Sequence, residues 1–281
     1  MIKIAVIGIA GQSVFLTVED FGKSGQTTVA NGFYSELGGK GFNQAVSACR
    51  YGAEVYFLCA VNKADVEPFT KIAKNNGINA YFIGKDQPSP YAVVQTDKNG
   101  DNQVLVYQGA ELSPNDVCLF EQEIKNANLL LINNEVPISV NQKAIEIAKA
   151  NGVKIVLNPA PYRKYDKDFL EKIDLFTPNE HETKGLQDYQ NVIVTMGDKG
   201  CLIRKTGETI QAEKINNVVD TTGAGDTFNG VLAVCLAEGK DQESACKMAN
   251  VASAIKVSRK YILESIPTRE EIERYLEQKN G

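Results

Sequence analysis

The sequence predicts an α/β protein with a mostly parallel central sheet and a small β-sheet lid. Three observations lead there. Apolar runs that suit buried strands recur at 2–8, 54–61, 128–133, 153–157 and 192–195. Amphipathic segments separate most of them, at 41–52, 64–76, 114–126 and 139–151, and two more come later at 224–238 and 241–257. Strands alternating with helices favour a parallel sheet covered on both faces. Third, two regions, 12–36 and 89–108, lack a good helix and carry strand-like stretches instead. Examples are Val14-Phe15-Leu16-Thr17-Val18 and Tyr91-Ala92-Val93-Val94-Gln95, the latter expected to form a hairpin turning at Lys98-Asn99-Gly100-Asp101. Two β excursions from one core are expected to pair over the C-terminal edge of the main sheet, where open α/β folds bind ligands. Edge strands of the main sheet are the alternative.

Composition agrees and narrows the function. The 281 residues suit a single domain, 1–281, and 43% hydrophobic residues suffice for a core. The net charge of −5 comes from 30 basic and 35 acidic residues with no basic block, which argues against nucleic acid as a partner. Such a chain can bind phosphates only by local neutralisation, through backbone N–H groups and a metal ion. Cys49, Cys59, Cys118, Cys201, Cys235 and Cys246 form no Cys-x-x-Cys pair, and most lie in apolar runs. They read as reduced thiols of a cytoplasmic protein. His181 is the only histidine, so a His-based zinc site or a Ser-His-Asp triad would rest on it alone. The opening Met1-Ile2-Lys3-Ile4-Ala5-Val6-Ile7-Gly8 reads as a buried strand rather than a signal peptide. No run reaches the ~18 apolar residues of a membrane span.

The most informative stretch is Val219-Asp220-Thr221-Thr222-Gly223-Ala224-Gly225-Asp226-Thr227-Phe228-Asn229-Gly230. Small residues lead into an acid, and an apolar helical run comes after it. Free N–H groups at a helix N-terminus bind anions, and small residues let a phosphate approach. An aspartate there can take a proton from a hydroxyl. An anion hole beside a base suits phosphoryl transfer to an alcohol. An ordinary glycine-rich loop with a capping Asp is the plainer alternative.

The stretch resembles the signature of the ribokinase-like (PfkB) carbohydrate kinases. Gly38-Gly39-Lys40-Gly41-Phe42-Asn43-Gln44-Ala45 resembles the family's other signature, in its ribokinase form. The likeness runs nearly the whole chain and implies a ribokinase-like three-layer fold. It implies a kinase that uses ATP and Mg²⁺ to phosphorylate a primary hydroxyl of a sugar or related polyol. By this likeness Asp226 is the catalytic base, and Gly223, Ala224 and Gly225 form the anion hole. Gly39, Lys40, Asn43 and Glu135 contact the sugar. Asn179 and Glu182 of Thr177-Pro178-Asn179-Glu180-His181-Glu182 help hold Mg²⁺ through water, which suits an ion that keeps several waters. They also fit a plain capping box, and both readings can hold at once. Thr195, Gly197, Gly200 and Asn250 lie on the nucleotide side. Asp220 and Thr222 match residues that in many ribokinases help bind a monovalent cation, usually K⁺, which shapes the anion hole. The remaining cation contacts come from a later loop, here 258–265, where Tyr261 replaces a common glycine. Asn158-Pro159-Ala160-Pro161 matches a family turn and reads as architecture.

One departure concerns the acceptor. After the first strand ribokinases carry Asn-x-Asp, whose side chains hold sugar hydroxyls. Here Gly11 and Ser13 stand in those places. A hydrogen bond to a charged group contributes roughly 1.5–3 kcal/mol, so losing the pair is expected to weaken ribose binding by about tenfold or more. A second departure, Asn62-Lys63-Ala64-Asp65, has no functional reading from sequence. A nucleoside kinase of the same fold, its base under Phe15, Phe33, Tyr34 and Tyr91, is one alternative function. A non-catalytic sugar sensor is another. An exposed lid edge suggests a homodimer through paired lids.

Overall fold

The structure is a computed structural model that describes residues 1–215 and 217–280. The chain opens with β1 (Lys3–Ile7), then β2 (Gly11–Thr17) and β3 (Gly32–Gly38), before the first long helix, α1 (Lys40–Arg50). β4 (Glu54–Asn62), α2 (Val66–Asn75) and β5 (Asn79–Lys85) lead to a hairpin of β6 (Tyr91–Thr96) and β7 (Asn102–Tyr107). The short helices α3 (Pro114–Cys118) and α4 (Glu121–Lys125) precede β8 (Leu129–Asn133), α5 (Ile138–Ala150) and β9 (Lys154–Asn158). Then come α6 (Lys167–Leu170), β10 (Leu175–Phe176), and a meander of β11 (Ile193–Thr195), β12 (Cys201–Ile203) and β13 (Glu208–Ile210). The chain ends in α7 (Ala224–Ala237), α8 (Gln242–Val257) and α9 (Arg269–Asn280).

Six strands form one sheet in the order β10-β9-β8-β1-β4-β5, and every pairing is parallel. Its central strands are continuous apolar runs because helices cover both faces. On one face Phe42, Val46, Phe69, Val231 and Leu232 of α1, α2 and α7 pack with Val6, Phe57 and Leu131. On the other, Phe120, Ile124, Val140 and Ala144 pack with Ile7, Leu58 and Leu130.

The two β excursions make a separate four-stranded sheet, β3-β2-β6-β7, and are not edge strands of the core. The β6–β7 turn is held by Asp97, whose Oδ1 accepts the N–H groups of Asn99 (2.8 Å) and Asp101 (3.0 Å).

Two expectations are corrected. The segment 114–126 is two helices, because α3 ends at Cys118 and Phe120 turns inward against Tyr81, ring centroids 5.1 Å apart. The run 192–195 does not join the parallel core. β12 returns antiparallel against it, and only the bridge Phe176↔Val192 links it to β10. Cys118 is exposed, unlike the buried Cys59, Cys201, Cys235 and Cys246, and all six thiols are free. Among the described residues no helix is long and apolar enough to cross a membrane.

Candidate active site

The site forms where α7 begins. Gly223 caps the helix at φ 78°, a left-handed conformation that a side chain disfavours. Like the other leading amides of a helix, those of Gly225 and Asp226 have no intrahelical partner, and no described acceptor engages them.

Asp226 is buried, and two amides of α1 fix its carboxylate. Asn43 Nδ2 donates to Oδ2 at 2.9 Å, and Gln44 Nε2 donates to Oδ1 at 3.2 Å. Gln44 Nε2 also reaches Asn158 Oδ1 at 3.2 Å, and Asn158 Nδ2 donates to the Thr177 carbonyl at 2.8 Å. The β9 turn is thus tied into the site as well as into the architecture. Helix α1 can lie this close to α7 because residue 230 is glycine. Ser47 fills the space beside it and donates to the Thr227 carbonyl at 2.8 Å.

A second close approach sets the start of α1. A Cβ on Gly8 would lie 2.6 Å from Gly41 Cα, so the end of β1 and the first turn of α1 touch through backbone. Gly39, at φ 107°, turns the chain into that helix. Lys40 then faces three acids. Asp226 foremost, with Glu135 and Glu182, holds its ammonium above the ordinary lysine value, against the opposing effect of burial. Glu135 lies just past the end of β8 and accepts the Gly41 N–H at 3.4 Å. Burial, reinforced by Asp226, pushes its carboxyl up to about 8, although Lys40 and nearby N–H groups oppose the shift. Asn43 Oδ1, Gln44 Oε1 and Asn133 Nδ2 are buried with no partner among the described residues. Buried polar atoms are rarely left so, and their clustering here is what a site awaiting a polar ligand presents.

Asn179 and Glu182 close as a capping box: Asn179 Oδ1 accepts the N–H groups of His181 (2.9 Å) and Glu182 (3.1 Å), and Glu182 Oε2 accepts the Asn179 N–H at 3.0 Å. The second Glu182 oxygen stays available, and the carboxylate acts on Lys40. The bridge Asn179↔Thr195 sets this pair beside the β11–β12 turn. Gly197 and Gly200 shape that turn at φ 59° and 91°, and a Cβ on Gly200 would lie 2.0 Å from the Ile210 carbonyl oxygen. His181 is exposed.

Some expected ligands have other partners. Asn43 uses its amide donor on Asp226. Asn250 Nδ2 donates to the carbonyls of Ile210 (3.1 Å) and Gln211 (3.0 Å), so its donors hold the end of β13. A Cβ at Gly11 would lie 2.1 Å from the Pro90 carbonyl oxygen, so packing against Pro90 leaves no space for a hydroxyl-binding side chain there. Ser13 is buried opposite Glu36 and against Gly38. The departure 62–65 is a loop clamp: Asn62 Nδ2 donates to the Asp86 and Gln87 carbonyls, and Ser89 Oγ donates to Asp65. Asp220 and Thr222 do not fit a free monovalent cation. Asp220 Oδ1 accepts the Thr222 N–H at 2.9 Å, and the Lys256 ammonium donates to the Asp220 carbonyl at 2.8 Å. Three contributors had no sequence reading: Gln44 as an orienting amide, Glu36, and Lys256. Gln44 had a signal, its place beside Asn43 in the glycine-led helix start.

Comparison with known proteins agrees with this geometry. Residues 1–269 match the description "pfkB family carbohydrate kinase". The chain belongs to the pfkB family of carbohydrate kinases. It is 33% identical to the ribokinase of Haemophilus influenzae over 98% of both chains. It is 32% identical to the deoxyribokinase of Salmonella typhi over 97% of this chain and 98% of that one. The structure of Arabidopsis thaliana ribokinase complexed with ribose and ATP matches with a TM-score of 0.83 at 26% identity, covering 98% of this chain and 99% of that one. The pfkB chain is thus an ATP-dependent carbohydrate kinase of ribokinase-like fold, as its two signatures implied.

Proposed function

We propose that this kinase transfers the γ-phosphoryl group of ATP to a primary hydroxyl of a pentose or a closely related sugar, with Asp226 as the base. The observation that carries this is the pair of amides from α1 that fix the Asp226 carboxylate beside free N–H groups of α7. Asp226 takes the hydroxyl proton, the oxygen attacks the γ-phosphorus, and ADP leaves. The turn Gly223–Ala224–Gly225 and the first N–H groups of α7 meet the charge on the transferring group. Lys40 and Glu135 bind and orient the acceptor over Gly39, while Thr195, Gly197, Gly200 and Asn250 shape the nucleotide side. Mg²⁺ would be held through water at Glu182, with Asn179 fixing that carboxylate, and would neutralise phosphate charge. The chain acts as a single unit in which the β3-β2-β6-β7 lid excludes water.

Similar identity to a ribokinase and a deoxyribokinase leaves the sugar open, and the glycine at position 11 removes one hydroxyl ligand. Tyr34 has one ring face stacked on Tyr261, centroids 3.6 Å apart, so it is not free to stack a nucleoside base there. We further propose a homodimer through the lids, because Val104, Leu105, Val106 and Tyr107 are exposed in succession along edge strand β7. The free thiols fit a cytoplasmic setting.

The test is Asp226→Asn, assayed on a panel of pentoses, deoxypentoses, ketohexoses, polyols and nucleosides. Loss of a general base costs between about a hundred- and ten-thousand-fold in kcat. An Asn variant with wild-type turnover would remove Asp226 from the chemistry.

A further inference from the structure

Lys256, at the end of α8, is fully buried. A buried ammonium is costly unless it is paired and hydrogen-bonded. Its Nζ donates to the Asp220 carbonyl at 2.8 Å and lies 3.9 Å from Asp220 Oδ2. Burial lowers its pKa, and Asp220, Glu36 and Asp226 oppose that shift.

The surroundings form a built site. Val219 and Asp220 donate their N–H groups to the Val257 carbonyl at 2.7 and 3.2 Å, tying the segment before α7 to the end of α8. Glu36, on lid strand β3, accepts the N–H groups of Ile262 (2.8 Å) and Leu263 (3.0 Å). Lys256 therefore lies between the entry to α7, the lid and the 258–265 loop. A single positive charge held by carbonyl and carboxylate oxygens is also what a potassium ion would present here. A free cation bound to Asp220 would face a fixed ammonium already on that residue's carbonyl.

We propose that Lys256 is a covalently tethered substitute for the monovalent cation: its ammonium holds the Asp220 carbonyl, fixes the turn that leads to Gly223–Asp226, and makes the kinase independent of K⁺. Lys256 is a positioning residue, acting through the turn and not on the substrate. The inference rests on the reading of that turn as the anion hole.

The experiment compares chloride salts of potassium, ammonium and tetramethylammonium at constant ionic strength. Wild-type kcat is expected to agree within about twofold in all three, a change well under 1 kcal/mol in barrier. Lys256→Ala is expected to lose at least about tenfold in tetramethylammonium and to regain activity in K⁺ or NH₄⁺. Without ATP or sugar, K⁺ is expected to raise the Tm of Lys256→Ala, while the wild-type Tm stays within about 1 °C across salts. Wild-type activity that requires K⁺ would overturn the proposal, as would a variant fully active in tetramethylammonium or one that no cation rescues. Should the variant not fold, the wild-type salt comparison still decides. The thermal measurements need no turnover, so they stand apart from any failure of Asp226 as the base.

Discussion

Gly230 lies one and a half turns from the anion hole, yet it is expected to set the rate. A Cβ there would meet Ser47 Cβ at 2.4 Å, Ser47 Oγ at 2.5 Å and the Gln44 carbonyl oxygen at 2.6 Å. Each is short of the ~3.5 Å of ordinary contact by about 1 Å. The last is backbone, so Gly230→Ala must push α1 away from α7. Helix α1 carries Asn43 and Gln44, whose bonds to Asp226 are 2.9 and 3.2 Å. Opening the gap by about 1 Å takes both beyond hydrogen-bonding range. Stability should change little, because overpacking costs about 1–3 kcal/mol while alanine recovers about 1 kcal/mol of helix propensity. At about 2–4 °C per kcal/mol for a chain of this size, the loss in Tm should stay below about 8 °C. Misplacing a reacting group by about 1 Å costs on the order of a hundredfold, so kcat should fall between about ten- and a hundredfold. The assay is steady-state turnover at saturating ATP and acceptor, with a thermal melt on the same samples. A folded Gly230→Ala enzyme with wild-type kcat would refute the argument that the α1–α7 spacing positions Asp226.

Four further outcomes are expected. Glu135 titrates near 8 in the free protein, so it is mostly protonated at neutral pH and becomes a better hydroxyl acceptor above that. Acceptor KM should fall as pH rises from about 7 to about 9, and Glu135→Gln should flatten the profile. The same shift sets a stability slope. The folded value lies above the unfolded 4.5, so the folded state keeps a proton that the unfolded chain releases. Stability in urea should be greatest below the unfolded value and be lost as pH rises towards about 8, and Glu135→Gln should weaken that slope. Glu182→Gln should raise the Mg²⁺ concentration for half-maximal turnover several-fold, and an unchanged Mg²⁺ titration would remove Glu182 from the metal side. Leu105→Glu, at a side chain 74% exposed on the lid edge, should give a monomer by analytical ultracentrifugation. A dimer in that variant would place the interface elsewhere.

Features governed by local rules were legible in the sequence. Buried parallel strands need continuous apolar runs, so β1, β4, β8 and β9 stood out. β5 did not, because it is an edge strand with mostly half-buried residues. α9 did not, because charged residues dominate it around the buried Ile272. The site was legible where one chain segment holds its own chemistry, as with the glycines and Asp226 at the head of α7. Contacts between segments distant in sequence were not. Gln44 meets Asp226 across 182 positions, and Glu36 meets Ile262 across 226. Gly11 looked like a missing ligand because a glycine says nothing of what fills the space beside it, which is Pro90.

Lys256 shows why such contacts escape a reading of periodicity. A lysine at the end of an amphipathic helix reads as a solvated charge that favours the helix dipole. Helical spacing puts it on the buried stripe of Ala245, Ala249 and Ala252, off which the exposed, Glu243-paired Lys247 lies, but spacing does not say what the ammonium meets. The difference lies in what the fold brings opposite each of them. Lys247 faces water, while Lys256 meets the carbonyl and carboxylate of Asp220 from the segment before α7, with the charge of Glu36 acting from the lid. The ammonium of α8 thus holds the segment before α7 and lies within the field of the lid's Glu36. Withdrawing the Asp220 carbonyl would leave a buried ammonium without its hydrogen-bond partner, which costs several kcal/mol. That requirement couples α8 to the anion-hole turn, and the charge of Glu36 adds a pull from the lid side.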